Sequence, residues 1–325
     1  MRLGEMQGVS MNSTASPARG VITLAYGHKR FIEQARSLGH SLQLHAPALP
    51  RTLVTDSTDP QITKLFTNVI PYRPEYGSGV RQKLYLDQYS PYDETLFIDS
   101  DCLVLGNLDS FWAAFRGQFF AVPGFRHLKK GETDPFFNVD DALQRFNLSS
   151  IPKFNGGTYY FDRSPEAQEF FKTARHLLEN AKSFGLGEFR RNGPADETLY
   201  SLAMAIHGIG PTWMGAGGMW TPVNYRGKLS LDAIAGSCSF EKEGRRLSPE
   251  IVHFPGDYLY AFPYARERAR LKKKIEGRGT SPLKLGIAFA AAMLWQCSRR
   301  SAGLAKLGRV SVRAYRQLSS KAARG

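Results

Sequence analysis

The stretch Leu96-Phe97-Ile98-Asp99-Ser100-Asp101-Cys102-Leu103-Val104 is an apolar run that stops abruptly at two carboxylates and then resumes. The run Thr95-Leu96-Phe97-Ile98 is too short for a helix and reads as a buried strand. Asp99 and Asp101 then emerge at its carboxyl end. Hard oxygen ligands so placed suit Mg²⁺ or Mn²⁺ bridged to substrate phosphates. Asp pairs also cap helices and close turns, so the motif takes its meaning from the strand before it.

Upstream of this strand, Val21 to Tyr26 and Arg51 to Asp56 read as strands. Between and after them come helical patterns over Phe31 to Leu38, Pro60 to Phe66 and Gln82 to Gln88. Downstream, strands are predicted at Phe119 to Val122, Gly157 to Phe161 and Ile251 to Phe254, and helices at Ser164 to Lys182 and Ala195 to His207. Ser164 followed by Pro165 is a cap and a first-turn proline. Alternating units of this length predict an α/β fold around one mainly parallel sheet, with ligands bound beyond the carboxyl ends of the strands. The polar stretch from Gly124 to Pro152 reads as an irregular insertion over that site. Gly208 to Asn224 reads as a glycine-rich loop carrying Trp213 and Trp220.

The chain has 325 residues, 42% of them hydrophobic, which excludes global disorder and leaves room for one large domain with appendages. The longest apolar run falls short of a membrane span. The 3 cysteines, Cys102, Cys238 and Cys297, form no CxxC pair, which disfavours a disulfide scaffold and a cysteine zinc site. A net charge of +14 is concentrated at one end, because Ala261 to Gly325 holds 16 Lys and Arg against 2 acids while the remainder is balanced. The expected organisation is a flexible leader over 1–20, a catalytic domain over 21–260 and a basic helical tail over 261–325. The leader has no apolar stretch of a secretory signal, which points to the cytoplasm. Within the tail, Leu285 to Trp295 is uncharged and flanked by cations, a composition suited to the anionic inner face of a membrane. The balanced body lacks a basic stacking motif, so no nucleic-acid partner is expected.

Several further motifs fall in order around the acidic pair. Lys83-Leu84-Tyr85, Asp99-Ser100-Asp101, Leu103 to Asp109, Phe154-Asn155-Gly156-Gly157, Asp196-Glu197 and Ile251 to Gly256 together resemble the family 8 nucleotide-sugar glycosyltransferases. That group contains glycogenin and the bacterial lipopolysaccharide galactosyl- and glucosyltransferases. The resemblance implies a GT-A fold and a metal-dependent hexosyltransferase that retains anomeric configuration. The donor it implies is UDP-glucose or UDP-galactose, and the acceptor a glycan or glycolipid. It implies Mn²⁺ (or Mg²⁺) on Asp99, Asp101 and His253, and an imidazole beside two carboxylates favours Mn²⁺. It places Thr23, Ala25 and Tyr26 on the nucleoside and Lys83 on the sugar and phosphates. Ser100, Asn155, Gly156, Gly157 and Gly256 complete the donor contacts. Asp196 and Glu197 are the catalytic pair, with glutamate where the family usually has glutamine. A carboxylate there can stabilise an oxocarbenium-like transition state or act as a nucleophile. After His253 the family's phosphate-binding lysine is missing, and a cation among Arg266 to Lys274 is the expected substitute. Acceptor choice is expected in the insertion and around Trp213 and Trp220. Two other readings are a sugar-nucleotide nucleotidyltransferase and a non-enzymatic polyanion binder. The first is disfavoured because Ala25 to Arg30 has one glycine rather than a glycine-rich loop.

Overall fold

The computed structural model describes residues 18–189, 193–277, 281–283, 286–287 and 289–290. The chain opens with strand β1 (Arg19–Leu24), helix α1 (Lys29–His45) and strand β2 (Arg51–Thr55). Strand β1 begins two residues before the expected leader boundary, because Arg19 and Gly20 pair with Glu94 and Thr95. The short helix α2 (Pro60–Thr63) and strand β3 (Asn68–Pro71) follow. Asp59 caps α2 by accepting from the Gln61 N–H, with Pro60 in the first turn. The expected helix at Gln82 to Gln88 forms as a 3₁₀ segment, Gly79–Tyr85, continued by α3 (Leu86–Tyr89).

Strand β4 (Glu94–Ile98) leads through the acidic turn into β5 (Cys102–Val104), then α4 (Asp109–Phe115) and β6 (Phe120–Ala121). The supposedly irregular insertion is structured: β7 (Gly124–Leu128) and β8 (Ile151–Phe154) pair antiparallel, with α5 (Val139–Arg145) between them. Lys153 Nζ reaches Asp134 Oδ2 at 2.6 Å and ties the connecting loop to β8. Strand β9 (Thr158–Asp162) and helix α6 (Pro165–Glu179) come next. The Ser164 hydroxyl caps α6 by accepting from the Ala167 N–H.

Helix α7 (Asp196–Ile206) and strand β10 (Met219–Trp220) precede an antiparallel meander of β11 (Arg226–Asp232), β12 (Ser237–Lys242) and β13 (Arg245–Leu247). Strand β14 (Ile251–His253) and helix α8 (Phe262–Glu276) close the described part of the chain.

The main sheet has the order β3-β2-β1-β4-β9-β6. Strands β3, β2, β1 and β4 run parallel, whereas β9 is antiparallel to both β4 and β6. One face buries Ile22, Leu24, Phe97, Tyr159 and Phe161 against α6 and α7 residues such as Phe170, Phe171 and Tyr200. The other buries Val21, Leu96, Ile98 and Tyr160 against Leu38 and Leu42 of α1 and Phe111 and Phe115 of α4. Covering both faces is what allows these strands to be apolar throughout. A second sheet, β10-β14-β5, grows from the strand after the acidic turn.

The basic segment after Ala261 begins as part of this body. Helix α8 packs on α1, with His40 Nε2 3.0 Å from Glu276 Oε1. Arg268 donates to the Ser37 hydroxyl, and Arg270 reaches both Asp232 and the fully buried Glu267. The hydrophobic segment Leu285 to Trp295 lies largely outside the described residues. Among the described residues, no helix is long and apolar enough to cross a membrane.

Candidate active site

Strand pairing gathers the acidic turn, the glycine pair and the histidine at one end of the sheet. Strand β9 pairs with β4 up to Thr158 opposite Ile98, and the Asp99 N–H then donates to the Gly157 carbonyl. Strand β14 pairs with β5 so that His253 lies opposite Cys102. The Asp-Ser-Asp turn is therefore flanked by Gly157 on one side and His253 on the other. The Phe254 N–H donates to the Asp101 carbonyl and fixes the chain beyond the histidine. Gly256 has φ 59°, a left-handed conformation that glycine adopts without strain, so the turn after His253 is built on it.

His253 Nε2 lies 3.0 Å from Asp101 Oδ1, and Asn155 Oδ1 contacts its other ring nitrogen, Nδ1. Asn155 thus orients the imidazole in the way an outer-shell partner orients a metal-ligating histidine. Asp101 Oδ1 is buried and, among the described residues, has the His253 ring nitrogen 3.0 Å away but no well-aligned hydrogen-bond donor. A buried carboxylate oxygen in that state is costly unless a cation satisfies it. Asp101, Cys102 and His253 have their ligand atoms within 4.8 Å of one another. Of the three, Cys102 is a poor candidate, because full burial pushes its thiol well up and keeps it protonated. Carboxylate and imidazole remain, a donor pair that can hold a divalent cation.

Asp99, the third expected ligand, is placed next to this cluster but in a different contact. Its Oδ2 accepts from Lys83 Nζ at 2.7 Å, and the same ammonium lies 3.0 Å from Asp196 Oδ2. Burial alone would pull the Lys83 ammonium down, but the carboxylates of Asp196 and Asp99 outweigh it and hold the group well above its ordinary value. Lys83 is thus a permanent cation between two site carboxylates. Its backbone is fixed as well, since the Tyr200 hydroxyl donates to the Lys83 carbonyl at 2.6 Å.

The two acids at the start of α7 point away from their own helix. Asp196 Oδ2 accepts from the Tyr159 hydroxyl at 2.6 Å, and Glu197 Oε1 accepts from the Gly156 N–H at 2.8 Å. The helix keeps the favourable dipole interaction of first-turn acids, while no side chain among the described residues caps it. Burial, with the neighbouring Asp196 charge, pushes the Glu197 carboxyl above its ordinary value.

Close approach explains the glycine pair. A Cβ on Gly157 would lie 2.6 Å from His253 Nδ1, and one on Gly156 would lie 2.4 Å from the Tyr159 hydroxyl. Neither neighbour can yield, because both rings are buried and hydrogen-bonded. Gly157→Ala is expected to destabilise the fold by about 1–3 kcal/mol and to displace the imidazole. Thermal unfolding with the imidazole NMR signals of His253 checks this, and wild-type values for both would refute the close-packing argument.

Of the residues expected to contact the nucleoside, Thr23 is fully buried and Ala25 nearly so, so neither offers an exposed side chain. Tyr26 is the accessible member of that group. It stacks on Tyr72 with centroids 4.2 Å apart and donates to the Gly79 carbonyl. Ser100 is buried inside the acidic turn. Of the cations expected as substitutes among Arg266 to Lys274, Arg266, Arg268 and Arg270 hold α8 to α1 and β11. Tyr159 and Tyr200, which position Asp196 and Lys83, were not foreseen, because apolar-patterned tyrosines read as core.

No protein-family model matches the sequence, and no curated protein matches it. Solved structures do. The galactosyltransferase LgtC, crystallised with donor and acceptor sugar analogs, aligns over 81% of this chain and 97% of its own, at 13% identity and a TM-score of 0.51. An active-site glutamine-to-glutamate mutant of LgtC aligns over the same shares at 14% identity and a TM-score of 0.51. The chain therefore has the GT-A glycosyltransferase fold.

Proposed function

We propose that this protein is a divalent-metal-dependent glycosyltransferase moving a hexose from a UDP-sugar, glucose or galactose, to a glycan or glycolipid with retention of configuration. The observation that carries this reading is the convergence of Asp99, Asp101, His253, Lys83, Asp196 and Glu197 beyond the carboxyl ends of the parallel strands, where such sheets bind ligands. The GT-A fold supports it. Asp101 and His253 would hold the ion, with Asp99 beside them. When bound, Mn²⁺ would neutralise charge on the departing nucleoside diphosphate.

The chain's own groups do the rest. Tyr26 offers a ring for the base. Lys83 presents a fixed positive charge where sugar and phosphates meet. Asp196, locked by Tyr159, is placed to bind sugar hydroxyls. Glu197 presents a carboxylate, held by the Gly156 N–H, toward positive charge developing at the anomeric carbon.

The test is turnover of a panel of UDP-, GDP- and CDP-sugars with Mn²⁺ or EDTA. Sugar transfer from a UDP-sugar, abolished by EDTA, is the expected result. Pyrophosphate release would instead mark a nucleotidyltransferase, and failure to bind any nucleotide would overturn the reading.

The basic tail fits a lipid-linked acceptor at a membrane surface. From Gly277 to Gly325 the chain carries 10 Lys and Arg and no acid. Each cation is worth about 1 kcal/mol near an anionic bilayer. Full-length protein is expected to float with anionic vesicles at low salt and to be released at high salt. A chain ending at Arg278 should stay in the soluble fraction, and equal behaviour of the two forms would assign the tail another role.

A further inference from the structure

Beside the site, a hollow of about 620 Å³ is lined by Phe125, Trp213, Ala216, Arg245 and Leu247. Phe125 and Trp213 remain 43% and 49% exposed, unusual for large rings that already touch each other. They meet edge to face at 4.8 Å, and Trp220 closes the group at 6.1 Å from Trp213. An edge-to-face pair covers a single face of one ring, and the exposure of both rings leaves further ring surface open. The Arg245 guanidinium lies over both, 5.0 Å from the Phe125 centroid and 5.3 Å from that of Trp213. Among the described residues Arg245 has no carboxylate partner, whereas its neighbours Arg126 and Arg246 reach Glu132 and Ser239.

Strand register places this hollow against the catalytic end. Gly124, just before Phe125, pairs with Phe154, just before Asn155. Trp220 pairs with Val252, just before His253. The Pro123–Thr212 bridge brings Phe125 and Trp213 together. The strands that carry Asn155 and His253 thus pair with those that lead into the hollow.

We infer that this hollow is the acceptor subsite and that the sugar seated there is acidic. This rests on the glycosyltransferase reading. Open aromatic faces suit the apolar face of a pyranose ring. A guanidinium already stacked on those rings keeps its N–H edge available for a planar carboxylate. One unpaired guanidinium matches one negative charge, which favours a uronic acid over a sugar phosphate.

The experiment follows intrinsic tryptophan fluorescence and calorimetry with cellobiouronic acid, cellobiose and glucose 6-phosphate, in the absence of donor. The acidic disaccharide is expected to bind at least about tenfold more tightly than cellobiose, as one charge-assisted contact implies, and more tightly than the phosphate. Trp213→Ala should abolish that binding, and Arg245→Gln should bring the two disaccharides to equal affinity. Mn²⁺-dependent UDP binding reports independently that each variant is folded and that the donor site is intact. Loss of UDP binding in wild type would defeat the enzyme reading. Intact UDP binding with no disaccharide bound, or with Trp213→Ala binding as wild type, overturns the acceptor assignment. Equal affinity of wild type for both disaccharides, or preference for the phosphate, overturns the uronic-acid assignment.

Discussion

Replacing Asp101 with alanine is expected to lower sugar transfer by about 10³-fold, the scale on which loss of a principal electrostatic group registers. Among the described residues, buried Asp101 Oδ1 has only the His253 ring nitrogen, 3.0 Å away, and no well-aligned hydrogen-bond donor. Such an atom weakens the fold unless a cation serves it, and a bound divalent ion would serve both this oxygen and the imidazole nitrogen beside it. Removal of an outer-shell partner alone costs about 10–100-fold in metal affinity, and removal of a ligand should exceed that. Asp101→Asn tests the same point with shape preserved, since an amide oxygen carries no net charge. Both variants should keep the far-UV circular dichroism of the wild type while losing Mn²⁺-dependent UDP binding. Full turnover of either variant in EDTA would refute the metal assignment.

The acidic turn was legible because an apolar strand ending in Asp-x-Asp is a local pattern. His253 was legible only through family resemblance: its place opposite Cys102 depends on β5 pairing with β14, two segments far apart in sequence. Local periodicity carries no information about such a pairing. The glycine pair shows a subtler limit. Phe154 to Gly157 announces a turn, but the reason for glycine is the nearness of Tyr159 and His253, visible only in three dimensions. The same holds for Lys83, whose two carboxylate partners come from β4's end and from α7. The meander β11 to β13 went unread although Leu229 and Leu231, then Cys238 and Phe240, alternate with polar residues. Its charged outer face masked a period-two signal that was present. The insertion was misjudged for a related reason: β7 is mostly solvent-facing, so its sequence lacks the apolar run that marks a buried strand.

Glu197→Gln should raise thermal stability and lower activity together, a combination that separates a functional acid from a structural one. The Glu197 carboxyl is pushed above its ordinary value first by burial and then by the Asp196 charge. A raised carboxyl means that the fold disfavours the ionised form. The penalty is therefore fully present above the folded-state value and fades as pH falls through it toward the ordinary 4.5 and below. Glutamine removes the charge yet keeps an oxygen to accept the Gly156 N–H. The unfolding midpoint at neutral pH is expected to rise by about 2 °C, the shift that roughly 1 kcal/mol produces in a domain of this size. That gain should shrink in acid. Transfer should fall by about 10–10²-fold if the carboxylate only stabilises developing positive charge, because Asp196 and Lys83 remain in place. Near-complete loss, with a glycosyl adduct trapped on wild-type enzyme, would instead make Glu197 a nucleophile. Wild-type rates with no gain in midpoint would reduce it to a helix-start acid. A fold that tolerates a destabilising buried carboxylate beside Asp196 and Lys83 is expected to do so because turnover depends on it.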